Sequence, residues 1–200
     1  MKNKLLLGIA LLACNISQAQ TLFENKTWGF SMQAPKNWTA SNPDEIKENV
    51  KQFKIARTQK DRIDASLKSS FLVGAFYKYP IHSVIGFIPT ILINARKIPT
   101  TQQADFLAYM EAAIKKMETL FLDFKYTQKP IRKTLHGKDA VYMALEYSLK
   151  AETGDVYTIR TTAYAVPIGK YYIQISMMDE AKQEDCQALY QQLLQTIHIQ

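Results

Sequence analysis

The stretch Asp139-Ala140-Val141-Tyr142-Met143-Ala144-Leu145-Glu146-Tyr147-Ser148-Leu149 decides the fold. Val141, Met143, Leu145, Tyr147 and Leu149 take alternate places and share one face, the period of a strand lying on a core. The opposite face is not cleanly polar, because Ala140, Tyr142 and Ala144 sit there beside Glu146 and Ser148. Two runs of the same kind follow, at 156–166 and 171–178. In the last of them Tyr171, Ile173, Ile175 and Met177 oppose Tyr172, Gln174 and Ser176. The joints Glu152-Thr153-Gly154-Asp155 and Pro167-Ile168-Gly169-Lys170 carry the Gly and Pro that tight hairpin loops require. An antiparallel meander is therefore predicted, with both faces at least partly covered by helices rather than one face open to water.

After the meander the period lengthens. Cys186, Leu189, Tyr190, Leu193, Leu194 and Ile197 recur at spacings of three and four, which predicts an amphipathic helix over about 179–197. Asp179 is read as its cap, with Glu180, Glu184 and Asp185 near the positive end of the helix dipole. A helix this short holds together only when its stripe is buried on the sheet.

Upstream of the meander, His136-Gly137-Lys138 reads as a turn, preceded by an extended basic segment over 124–135. A long helix is predicted from Pro99 to about Leu122. Thr100 and Gln103 stand at capping-box spacing, and Phe106, Leu107, Met110, Ile114, Met117 and Phe121 form a broad apolar face. Residues 57–68 are polar and read as loop. A strand is expected over 71–79, with Gly74 at a bulge or a close contact, and a second over 90–98.

Between them lies the most hydrophobic stretch beyond the leader, 81–93, broken by Gly86 and Pro89. It is read as loop and strand, with an apolar flap or pocket roof as the alternative; Phe87 and Ile88 are its candidate apolar contacts. Ser41-Asn42-Pro43-Asp44-Glu45 opens another helix whose narrow apolar edge is Ile46, Val50 and Phe53. Trp28, Phe30 and Met32 alternate in a first extended element, and Pro35-Lys36-Asn37 turns the chain into Trp38.

The first residues form a targeting segment. Lys2 and Lys4 precede an apolar run, 5–13, that is too short for a permanent membrane span. Two exits are open. Ser17-Gln18-Ala19 offers small residues for cleavage before Gln20, making 1–19 the signal peptide. Leu11-Leu12-Ala13-Cys14 resembles a lipobox, which would make 1–13 the signal and Cys14 an acylated N-terminus. The remainder, 20–200, has no repeat, low-complexity tract or dividing linker and is read as a single domain. The chain holds Cys 2, so with Cys14 removed or acylated no internal disulfide can form, and Cys186 is expected as a small buried hydrophobe.

Chemistry is sparse. Lys+Arg 25 against Asp+Glu 18 gives a net charge of +7, and loss of Lys2 and Lys4 leaves +5. The basic residues are scattered, which suits an acidic partner or anionic lipid and does not point to nucleic acid. His82, His136 and His198 are far apart in sequence, without ligand spacing. No G-x-S-x-G elbow, phosphate loop or G-x-G-x-x-G occurs. Asp139 and Glu146 fall on opposite strand faces, which argues against a paired acid and base. Glu146 and Arg160 are read as cross-strand neighbours on one face, an ion pair first and a ligand-binding pair second. No catalytic residue, cofactor site or metal site is assigned.

The run Phe30-Ser31-Met32-Gln33-Ala34-Pro35-Lys36-Asn37-Trp38 resembles the opening of PsbP-like proteins. So do the turn at Gly137, the hairpin up to Tyr164, the strand from Tyr171-Tyr172-Ile173 and the ending Leu193-Leu194-Gln195-Thr196-Ile197. That family contains the extrinsic photosystem subunit PsbP, exported bacterial relatives and a nuclear-import factor that binds a small GTPase. The resemblance implies an α+β fold, an α/β/α sandwich around an antiparallel sheet of about six strands flanked by helices on both faces. It covers most of 20–200, and 81–93 is where the chain departs furthest from the pattern. Fold alone assigns no activity.

The expected function is an exported, non-catalytic binding or assembly module of the bacterial cell envelope. It would be a monomer, periplasmic or anchored through Cys14, with an envelope protein or a lipid surface as partner. The alternative is a carrier or enzyme for a hydrophobic ligand with a pocket near 81–93. Mass spectrometry of protein extracted from the envelope should find the chain beginning at Gln20, or at Cys14 with the added mass of lipid. An intact Met1 would overturn the leader.

Overall fold

The computed structural model describes residues 21–51, 53, 61, 65, 68–99, 105–151 and 153–200. The leader with both its exits, Cys14, the Thr100–Gln103 capping box and Glu152 lie outside the described residues. Within them the chain is a mixed α and β structure built on a seven-stranded sheet, in which every pairing is antiparallel.

The meander forms as its alternation demands: β7 (Lys138–Lys150), β8 (Val156–Ile168) and β9 (Tyr171–Glu180). The β8–β9 loop is two residues long, and Gly169 takes a left-handed φ of 58° there, which an L side chain would resist. Basic strand β6 (Leu122–Leu135) pairs with β7 at one edge. On the other side β9 pairs with β5 (Thr90–Lys97), β5 with β4 (Ser70–Tyr77), and β4 with the two-residue β3 (Thr39–Ala40). That short edge strand accounts for the seventh, against the six expected.

Gly74 meets both of its expectations. The β4–β5 register slips between Leu72 and Gly74, and the Phe23 ring lies 2.6 Å from where a Cβ at Gly74 would be. Phe23 belongs to β1 (Leu22–Asn25), which pairs with β2 (Phe30–Gln33), and β2 in turn pairs with β10 (His198–Ile199). Trp28 lies in a 3-10 turn (Lys26–Trp28) rather than in the strand that alternation suggested, because Gly29 is left-handed and resets the backbone.

One face of the large sheet packs Phe76, Ile91, Ile93, Ile173 and Ile175 against Phe30 and Met32 of the small sheet and against α3 (Gln187–Leu194). The other packs Met143, Leu145, Ile159 and Ala163 against Phe106, Met110 and Ile114 of α2 (Phe106–Lys115). Helix α1 (Pro43–Lys51) covers the β4 end of that second face through Ile46. Asn42 caps α1: its side-chain Oδ1 accepts from the N–H groups of Asp44 and Glu45 at 3.0 and 3.1 Å, and the Glu45 carboxylate accepts from Asn42 N at 3.0 Å.

Three expectations are corrected. The last helix begins at Gln187, not near Asp179, since β9 stays paired to β8 as far as Glu180. Asp179 still serves the helix, but across space. Fully buried, its carboxylate accepts both arms of the Arg160 guanidinium at 2.9 Å and the N–H of Cys186, the residue just before α3, at 2.8 Å. Second, Glu146 does stand opposite Arg160 in the register, yet Arg160 pairs with Asp179 and Glu146 with Lys125 at 2.6 Å. A planar fork is better satisfied by a fully buried bidentate carboxylate directly across the strand pair than by one already held by a lysine. Third, Asp61, Ala65 and Lys68 are helical where 57–68 was read as loop; i to i+4 placement of exposed side chains needs no apolar stripe that a sequence reader would notice.

The Asp179 carboxylate anchors both the meander and the last helix, so Asp179→Ala should cost about 3 kcal/mol or more, leaving a buried N–H without its acceptor and Arg160 without its buried one. Asp185 also reaches Arg160, at 3.2 Å, but its side chain is 68% exposed. Asp185→Ala should cost no more than about 1 kcal/mol. Urea midpoints measured on both variants check the contrast.

Candidate functional site

Strand β5 divides its residues between two environments. Ile91, Ile93 and Ala95 are sealed in the core shared with the small sheet, whereas Thr90, Leu92, Asn94 and Arg96 face the side covered by α1 and α2. The space between is a half-open cavity of about 300 Å³, the lower end of the range typical of small-molecule sites.

Its walls are apolar. Val50 and Phe53 close one side, Met117, Leu120 and Phe121 from the turns after α2 the other, and Leu149 and Met178 one end. Aromatic contacts stiffen this lining: the Phe121 and Tyr147 ring centroids are 4.3 Å apart, and Phe53 lies 6.3 Å from Phe87 and 6.2 Å from Tyr157.

A few polar groups interrupt the floor. The Tyr77 hydroxyl hydrogen-bonds with Asn49. Thr90 Oγ1 donates to the Ile88 carbonyl at 2.7 Å. Arg96 reaches the Tyr172 hydroxyl. Asn94 differs: it is 5% exposed, it lines the cavity, and among the described residues no group hydrogen-bonds its side-chain amide. No carboxylate is among the described lining residues, and Arg96 is the only charged one.

The apolar stretch 81–93 is split by the structure. Ile85 is 88% exposed at the loop tip, Phe87 is half-buried and lines the cavity, and Ile88 is 1% exposed beneath α1 with Ile46, Ala75 and Tyr77. Gly86 makes the change of environment possible. Its φ is +108°, and the Tyr157 ring lies 2.8 Å from where its Cβ would be. Sequence reading missed Asn49, Asn94, Arg96, Met117 and Met178 as lining residues. One signal was present: Asn94 interrupts the run Ile91-Leu92-Ile93 at a position that period two places inside.

The remaining candidates do not converge on this cavity. His136 and His198 come together with ring centroids 6.0 Å apart, on the far side of the molecule beside β10, and a His136 ring nitrogen lies 2.6 Å from the Leu194 carbonyl. His82 is exposed on the β4–β5 loop. Cys186 is 4% exposed and its thiol is pushed up by burial, which disfavours the reactive thiolate. Among the described residues, no group of three or more His, Cys, Asp or Glu could hold a metal ion, and no helix is long and apolar enough to cross a membrane.

No protein-family model matches the chain, and no curated protein is similar to it in sequence. Among solved structures, a cyanobacterial PsbP from Synechocystis sp. is 13% identical, with 95% of this chain and 99% of that one covered and a TM-score of 0.52. The likeness is one of fold. LpqN, involved in cell envelope biogenesis of Mycobacterium tuberculosis, is 14% identical over 88% of this chain and 89% of its own, with a TM-score of 0.48. A protein of unknown function from Pseudomonas aeruginosa, a putative regulator, is 14% identical over 90% and 96%, with a TM-score of 0.47. Identities this low leave the ligand to be argued from the site itself.

Burial raises the Tyr77 hydroxyl to about 12, Asn49 offsetting part of the effect. Tyr147, Tyr172 and Tyr190 are raised as well, burial being the main cause in each. A phenol whose folded pKa lies above its unfolded value of about 10 contributes stability below that pH and loses it as pH climbs toward the folded value. The protein should therefore hold its stability to about pH 10 and unfold in base, buried tyrosines ionising together with the loss of structure. Tyrosinate absorbance followed alongside circular dichroism checks this; Tyr77 ionising at its ordinary pKa in a native fold would contradict it.

Proposed function

We propose that this chain is an exported, non-catalytic binding module of the cell envelope that carries a small apolar ligand between α1 and α2. The single observation that carries the reading is the half-open apolar cavity of about 300 Å³ on the sheet face beneath α1 and α2. A face with no ligand to accommodate would be expected to close, since each void forfeits packing contacts. The leader read in 1–19 or 1–13 supports export, and the Synechocystis PsbP likeness supports the α/β/α sandwich as the scaffold. Binding rather than catalysis is favoured because the polar groups among the described residues of the cavity floor are amides, hydroxyls and a guanidinium, with no carboxylate, thiol or imidazole among those described residues. The exposed Ile85 and the basic balance of the chain fit delivery of the ligand from or to a lipid surface or an envelope protein.

The test uses an uncharged apolar fluorophore, N-phenyl-1-naphthylamine. The purified protein should bind it saturably, and Leu120→Trp, which extends a partly exposed wall residue into the space, should weaken binding about tenfold or more without moving the urea midpoint. Absence of binding, or equal binding by the variant, would contradict the reading.

A further inference from the structure

We infer that the ligand is an acyl amphiphile, an apolar chain bearing one carbonyl or carboxyl group, and that Asn94 is the residue that receives its head. The inference rests on the cavity reading above and adds the chemistry of the polar end.

Asn94 is the odd member of the floor. Among the other described polar side chains there, Asn49 has Tyr77 as a partner, Thr90 has the Ile88 carbonyl, and Arg96 has Tyr172. The Asn94 amide has none among the described residues, although Asn94 is 95% buried. Gln174, its cross-strand neighbour, is turned to Ser176, with Nε2 donating to Oγ at 2.9 Å. The Asn94 amide opens on the cavity, where a ligand group can partner it, and an amide offers donor hydrogens as well as an acceptor oxygen. A hydrocarbon could not use it. A carbonyl oxygen can accept from Nδ2, and a carboxylic acid or primary amide can also return a hydrogen bond to Oδ1.

The sign of the surroundings narrows the choice further. Arg96 stands two residues along the same strand face, and no carboxylate is among the described lining residues. Partial negative charge on a ligand head is therefore favoured at this end of the floor, and an amine is disfavoured. Much of the rest of the described lining, including Phe87, Met117, Leu120, Phe121 and Met178, offers apolar surface and suits a medium-length chain.

Three ligands of equal chain length test this on the wild-type protein: decanoic acid, decane and decylamine, each displacing N-phenyl-1-naphthylamine. Decanoic acid should compete at least about tenfold better than the other two. In Asn94→Leu, a near-isosteric apolar change, decanoic acid should lose that advantage over decane and decylamine, displacement being read against the variant's own affinity for the fluorophore. Should Asn94→Leu fail to fold, the order of the three ligands on the wild type and on Asn94→Ser decides. Fluorophore binding with no preference among the three, or an unchanged preference in the Asn94 variant, overturns the role of Asn94 and leaves the cavity standing. No fluorophore binding by the wild type overturns both.

Discussion

Alternation along β5 is the constraint from which both the fold and the site follow. A strand must send successive side chains to opposite faces, so a single segment, Thr90–Lys97, builds two different surfaces. Its odd residues complete a closed core with the small sheet and α3. Its even residues floor an incompletely covered gap between α1 and α2. A one-residue slip against β9 would exchange the two sets and bury Arg96 in the closed core. The pairing of β5 with β9 along eight residues, and of β9 with β8 along ten, makes that slip costly.

The meander was legible because its signals are local. Alternating apolar residues and Gly-bearing joints determine strands and hairpins whatever the rest of the chain does, and β7, β8 and β9 lie within two residues of the expected bounds. Asp179 shows where local reading stops. An acid following an apolar run and preceding an apolar stripe looks like a helix cap, and in one sense it is. Its place, however, was settled by Arg160, nineteen residues earlier, whose guanidinium needs a carboxylate directly across the β8–β9 pair. That preference is non-local and outweighs helix propensity, so the strand continues through Glu180. Glu180 then turns the chain, accepting from the N–H groups of Lys182 and Gln183 at 2.9 and 2.6 Å.

The site was legible only at one corner. The apolar stretch 81–93 drew attention to Phe87, which lines the cavity, and to Ile88, which is buried next to it. Its opposite wall comes from Met117, Leu120 and Phe121, where the chain leaves the helix at Lys115 earlier than its apolar pattern suggests. A helix continued to Leu122 would have run its stripe along the sheet. The turns after Lys116 instead lift these residues away from it. A gap between two covering elements depends on where each one ends, and periodicity marks ends less firmly than faces.

The most direct measurement is a methyl-resolved NMR titration of the protein with an apolar amphiphile. The methyl signals of Leu92, Met117, Leu120 and Met178 should shift together and saturably, while those of Val73, Ile173 and Leu193 in the opposite core stay in place. Shifts confined to the opposite core or to surface methyls such as Ile85, or no saturable shift at all, would contradict a ligand held between α1 and α2.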